Sequence, residues 1–175
     1  MDDVADLRAK IRDIKDFPTE GILFKDITTL LKDGPAFRRV VDLLAAHYQR
    51  ERVEVVVGIE SRGFIFGAPI ALKLGAGLVP IRKPGKLPAA TQRVDYALEY
   101  GTDALEMHND AVGPRDRVLV IDDVLATGGT AAAAAQLVGG SGGAVVGFSF
   151  LIELDFLKGR QRLPGQRVEA LLHYT

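Results

Sequence analysis

The sequence predicts an α/β protein with a central, mostly parallel, twisted sheet flanked by helices, and three observations carry that prediction. Val118 to Ile121 are apolar at consecutive positions, which suits a strand covered on both faces. A strand, a polar turn and a helix start follow one another twice, at Val53–Gly63 and at Val118–Ala131. The chain has 175 residues, 47% hydrophobic and 26% charged, enough for one domain with helices on both sides of a sheet.

Global properties exclude several classes of function. The formal net charge is -1, so nothing global attracts nucleic acid or an anionic membrane, and anion binding must come from local basic groups. Cysteine is absent, which removes disulfides and thiolate metal sites and fits a reducing cytoplasm. The start Met-Asp-Asp does not read as a signal peptide, and no apolar run approaches the roughly 20 residues of a membrane span.

Taken in order, Val4 to Phe17 carries Val4, Leu7, Ile11 and Ile14 at three- and four-residue spacing, which predicts an amphipathic helix stopped by Pro18. Phe17 to Leu31 reads mostly as a loop, and its Ile22-Leu23-Phe24 triplet is either a flap on the core or an apolar slot for a flat ring. Pro35 to Arg50 predicts a second helix opened by Asp33-Gly34-Pro35, with His47 a surface or capping residue near its end. Val53 to Ile59 is a strand. Glu60-Ser61-Arg62-Gly63 follows it before a helix from Phe64, and reads either as a capping serine with a surface arginine or as a turn whose Arg62 presents a planar fork of donors to a pyrophosphate.

Leu78 to Ile81 is a short strand leading into a basic loop, with Arg82, Lys83, Lys86 and, further on, Arg93. No aromatic residues interleave these charges, so a polyphosphate suits them better than RNA does. Ala89 to Asp110 is polar, and a long polar connection in a compact domain is commonly a lid. Gly143 to Leu151 and Val168 to Leu172 are the closing strands.

The strand from Val118 runs into Asp122 and Asp123, then into Ala126-Thr127-Gly128-Gly129-Thr130, and then into an alanine-rich helix from Ala131. Successive strand residues point to opposite faces, so two adjacent acids cannot both enter the core and at least one reaches the solvent edge. Free amides at a helix start, with glycines for the turn and two hydroxyls beside them, surround a phosphate. A carboxylate repels phosphate but accepts from paired hydroxyls, so acid pair and loop together read as a cradle for ribose 5-phosphate. The lysine of a Walker loop and the spacing of a dinucleotide fold are both missing.

Val-Leu-Val-Ile-Asp-Asp-Val-Leu-Ala-Thr-Gly-Gly-Thr resembles the signature of type I phosphoribosyltransferases, and the resemblance covers nearly the whole chain. Phe17–Leu31 resembles the hood over the base site of the family's adenine-using members, within an N-terminal region 1–34. It implies Phe24 stacking on the base, with Leu23 and Lys25 offering main-chain contacts. Glu60, Ser61 and Arg62 match a pyrophosphate loop that can include a non-proline cis bond. Arg82, Lys83 and Lys86 match its Arg-Lys-x-Gly-Lys-Leu-Pro segment, where one basic group reaches across a dimer interface. Glu99 matches the catalytic glutamate, with Tyr100 beside it on a flexible lid within 83–103, and Glu153 to Arg160 match a tail that walls the base pocket. The expected reaction is transfer of the 5-phosphoribosyl group from phosphoribosyl pyrophosphate to adenine, giving AMP and pyrophosphate in purine salvage. Magnesium is expected to be held through the substrate rather than by a protein cage, and a cytoplasmic homodimer with no nucleic-acid or membrane partner is expected with it.

Overall fold

The computed structural model describes residues 4–97 and 101–175. The chain divides into two compact units, Met1–Leu43 and Leu44–Thr175.

In the first unit the expected helix from Val4 to Phe17 is cut short. Helix α1 covers only Ala5–Arg8, burying Leu7, and Arg12–Lys15 is a strand, β1, paired antiparallel with β2, Leu23–Asp26. Their register explains the failure of the helical reading. Arg12 faces Asp26 and Asp13 faces Lys25, with ion pairs of 2.5 Å and 2.7 Å, while Ile14 faces Phe24. Such opposite-charge cross-strand pairs stabilise a hairpin. Complementarity between positions fourteen and twelve residues apart is invisible to a count of local periodicity. The supposed loop of Phe17–Leu31 likewise holds β2 and the one-turn helix α2, Thr28–Leu31. Helix α3, Gly34–Ala46, ends four residues before Arg50.

The second unit is built on a five-stranded parallel sheet. Its strands are β3 (Val55–Ile59), β4 (Gly77–Ile81), β7 (Arg117–Leu125), β8 (Ala144–Leu154) and β9 (Val168–Tyr174), in the order β4-β3-β7-β8-β9. Helix α4, Arg62–Leu74, connects β3 to β4 in one direction, and α5, Gly129–Gly140, connects β7 to β8 in the other. Right-handed crossovers therefore place α4 and α5 on opposite faces. Between β3 and β7 the order reverses, and the carboxyl ends of strands at such a reversal are where open α/β sheets bind ligands.

Strand residues alternate between the two helices. Val57, Ile59, Val118, Val120, Phe148 and Phe150 pack with Leu137 and Val138 of α5 in one apolar core. On the other face α4 lies so close that a Cβ on Gly63 would stand 2.7 Å from the Ile121 carbonyl. The polar connection from Ala89 to Asp110 is an antiparallel hairpin of β5 (Thr91–Ala97) and β6 (Thr102–His108), with Leu105 and Met107 fully buried.

Candidate active site

Parallel register brings three strand ends level. Ile59 lies beside Ile81, and Gly58 beside Ile121, so the next residues along each strand, Glu60, Arg82 and Asp122-Asp123, come out along one edge of the sheet. The acids do not end β7, which continues to Leu125 with Leu125 beside Glu153 of β8.

Asp123 is only 3% exposed, and Asp122, pointing the other way, is partly exposed. The expectation that one acid reaches the edge is met. Burial raises Asp122 well above the usual carboxylate range, and the Asp123 charge adds to it. Burial also raises Asp123, opposed by Arg62, whose Nε lies 2.8 Å from its Oδ2. Arg62, expected to face pyrophosphate, is thus engaged with the acid pair. Asp122 Oδ1 accepts from the Asp123 amide at 2.8 Å.

Beyond β7, Gly128 sits at φ 81 immediately before α5, and Gly129 and Thr130 form its first turn, two residues earlier than the sequence suggested. This left-handed step is what a glycine supplies without steric cost. A twelve-residue helix therefore begins at the sheet edge, and the first amides of a helix, which have no acceptor within it, are a ready anion site.

The Glu60–Ser61 peptide bond is cis, as the resemblance allowed. The Glu60 carboxylate accepts from Lys86 Nζ at 2.5 Å and from the Lys83 amide at 2.8 Å, with Arg82 Nε at 3.4 Å. Burial would raise its pKa, but these donors outweigh burial and bring it down to about 2. Glu60 itself is an anion that gathers the basic residues expected to hold pyrophosphate, so a role for it there runs through those cations.

Three residues near this site were not expected from the sequence. Lys83 Nζ is hydrogen-bonded to Asp103 and lies 3.2 Å from the Tyr96 hydroxyl, which in turn donates to Asp103 at 3.2 Å and accepts from Thr130 Oγ1 at 3.4 Å. Burial would lower Lys83, yet Asp103 and Tyr96 together outweigh it and raise it. The hairpin thus ties the basic loop to the first turn of α5. Alternation of Arg93, Val94, Asp95 and Tyr96 marks a strand with Val94 and Tyr96 on its inner face, and that signal could have found Tyr96. Arg162 is the third, its Nη1 3.5 Å from where a Cβ on Gly129 would stand. Glu99 and Tyr100 lie outside the described residues.

In the first unit, Ile14, Phe17, Phe24 and Asp26 line a cavity of about 250 Å³. The Phe17 and Phe24 rings meet edge to face, 5.1 Å apart at 71°, which leaves apolar surface suited to a flat ring. Leu23 is half exposed beside them and Lys25 reaches Asp13.

A buried strand, an acid pair and an amide-lined helix start, set at a sheet reversal beside a basic cluster, define a protein that handles a phosphorylated sugar. Residues 28–166 match the phosphoribosyl transferase domain, and the chain belongs to that family. More narrowly, it is 60% identical over 169 residues to the adenine phosphoribosyltransferase of Solibacter usitatus, covering 97% of this chain and 98% of that one. The crystal structure of adenine phosphoribosyltransferase from Thermoanaerobacter pseudethanolicus superposes with a TM-score of 0.96 at 49% identity, over 98% and 99% of the two chains. The Giardia lamblia enzyme, crystallised with 9-deazaadenine, superposes at 0.93 with 40% identity, over 98% of each chain. The fold is that of the type I phosphoribosyltransferases. Among the described residues no helix is long and apolar enough to cross a membrane.

Proposed function

We propose that this chain is an adenine phosphoribosyltransferase, which moves the 5-phosphoribosyl group from phosphoribosyl pyrophosphate to adenine and releases AMP and pyrophosphate in purine salvage. The observation that carries this reading is the level placement, along one sheet edge, of an acid pair that shares one guanidinium, a helix start and a basic cluster. Each suits one part of the sugar donor.

Ala126, Thr127, Gly128, Gly129 and Thr130 hold the terminal phosphate, which anchors the ribose away from the reacting carbon and supplies remote binding energy. Asp122 and Asp123 accept from the ribose diol. Ser61 and Arg62, with Arg82, Lys83 and Lys86, hold pyrophosphate, and Glu60 keeps Arg82 and Lys86 in place. Phe24 stacks on adenine, and backbone groups of Leu23 and Lys25 read its edge. An amino group is a donor where a 6-oxopurine has an acceptor, so the wrong base leaves a buried group unpaired.

The reaction exchanges one bond at the anomeric carbon for another: the bond to pyrophosphate breaks and a bond to the purine nitrogen forms. Charge on the sugar becomes cation-like, which the acid pair stabilises on one side while the basic cluster stabilises the departing polyanion. Glu99 takes the proton that the attacking nitrogen sheds. The 83–103 segment, with Tyr100, closes over the site and excludes water. Magnesium would be held mainly by the donor's own oxygens, with Asp122 and Asp123 the nearest hard oxygen ligands in the chain, and would supply positive charge for the pyrophosphate. The same reading carries a cytoplasmic homodimer.

Pyrophosphate release should be rapid with adenine and the sugar donor, and much slower with hypoxanthine or guanine in competition. Equal use of hypoxanthine would make this a 6-oxopurine enzyme, and no release with any base would reject catalysis. Glu99→Ala should lower turnover on the order of 100-fold to 10,000-fold, the usual worth of a proton-transfer group, while AMP still binds. Wild-type turnover in that variant removes Glu99 from the mechanism.

A further inference from the structure

The segment after β8 makes a contact with the loop before α5 that no part of the reaction above uses. Glu153, 3% exposed, stands on β8 beside Leu125, and both of its oxygens accept from Arg160 Nε at 2.7 Å. Nη2 of the same guanidinium lies 2.7 Å from Glu153 Oε2, and Nη1 donates to the Val168 carbonyl at 2.8 Å. One side chain therefore pins a single 3-10 turn, Gly159–Arg162, to the end of β8 and to the start of β9.

Pinned there, the turn meets the loop backbone to backbone. A Cβ on Gly159 would stand 2.3 Å from the Ala126 carbonyl oxygen and 3.0 Å from Leu125 Cδ1. Reciprocally, a Cβ on Gly128 would stand 2.3 Å from the Gly159 carbonyl oxygen. Only a pair of glycines permits this approach, and Gly159 is buried although Lys158 and Arg160 on either side are exposed. A mere surface turn has no need of such closeness.

We propose that Gly159, locked by the Arg160–Glu153 pair, is a positioning residue for the phosphate site: it fixes the path of Ala126–Gly128 and so aims the amides that open α5. This rests on the reading of Ala126–Thr130 as the terminal-phosphate site. Its consequence is selective, because the cluster of Glu60, Arg82 and Lys86 is formed by other elements and makes none of these contacts.

The test compares binding of ribose 5-phosphate with binding of magnesium pyrophosphate, by calorimetry, in wild type, Gly159→Ala, Glu153→Gln and Thr127→Val. Gly159→Ala should weaken ribose 5-phosphate about tenfold or more, the scale expected when packed backbone is forced to shift. KM for phosphoribosyl pyrophosphate should rise in parallel, kcat should change less, and pyrophosphate affinity should hold. Glu153→Gln, which keeps the volume and loses the charge, should act in the same direction and more weakly. Unchanged ribose 5-phosphate affinity in Gly159→Ala, or equal weakening of both ligands, overturns the proposal. If Gly159→Ala does not fold, unchanged affinity in Glu153→Gln overturns it instead. Thr127→Val separates the two levels: no effect there rejects the loop as the phosphate site, whereas weakening there with none in Gly159→Ala rejects Gly159 alone.

Discussion

Glu60 and the Asp122–Asp123 pair leave neighbouring strands at the same edge of one sheet, yet they sit in opposite electrostatic states. Around Glu60 the chain has collected Lys86, Arg82 and the Lys83 amide, and the carboxyl is held down to about 2. In the acid pair Asp123 is buried and Asp122 partly so, with Asp122 raised by burial and by its neighbour, and Arg62 engaged with Asp123. Glu60 is finished by the fold. Arg62 is shared between two acids, and burial still holds both above the ordinary carboxylate value. An acid ringed by cations is held down by them, whereas adjacent buried acids that share one guanidinium are pushed up by burial and by each other.

Removing the pair's charge should give the largest effect. Asp122→Asn and Asp123→Asn should each weaken magnesium-bound phosphoribosyl pyrophosphate by roughly 10- to 100-fold, since hydrogen bonds to charged groups are worth about 1.5–3 kcal/mol. Unchanged calorimetric affinity in both variants would break the comparison.

The same Asp122→Asn change should stabilise the ligand-free protein at neutral pH. An acid raised on folding carries no penalty while it is protonated in both states. The penalty arrives as pH rises past the usual value of 3.8 toward the raised one, because the unfolded chain then releases its proton more readily. Relief of that penalty should raise Tm by roughly 2–4 °C per kcal/mol recovered. A Tm that falls at neutral pH would show that the pair is satisfied after all.

Glu60→Gln should have the smallest effect and the opposite sign. Its contribution is present above the ordinary value of 4.5 and is lost as pH falls toward about 2. At neutral pH the variant should lose no more than about 1 kcal/mol, because Lys86 and Arg82 stand partly in solvent. The difference from wild type should shrink on acidification, and thermal melts across that range would sharpen or erase the contrast.

Much of this edge was legible in the residues. The consecutive apolar run at Val118–Ile121, the acid pair and the glycine loop identify a strand, a carboxylate edge and a helix start by local rules alone. The hairpins were not legible in the same way. Arg12–Lys15 pairs with Leu23–Asp26 through charges that match only across the turn, and Tyr96 and Asp103 meet Lys83 only once β5 and β6 fold together. Local periodicity sees spacing along the chain, whereas these pairings depend on which residues come to face one another.

The sequence by itself determined the chemistry on offer: which strand carries adjacent acids, which loop holds paired glycines between hydroxyls, where basic residues cluster. Tertiary structure decided how those groups are charged and aimed. Parallel register made Glu60 and Arg82 neighbours, burial raised Asp122 and Asp123, and the close approach of Gly159 set the loop that follows them. Residue identity is a local property, but desolvation, pairing and steric approach are properties of what surrounds a residue, and only the folded chain supplies those surroundings.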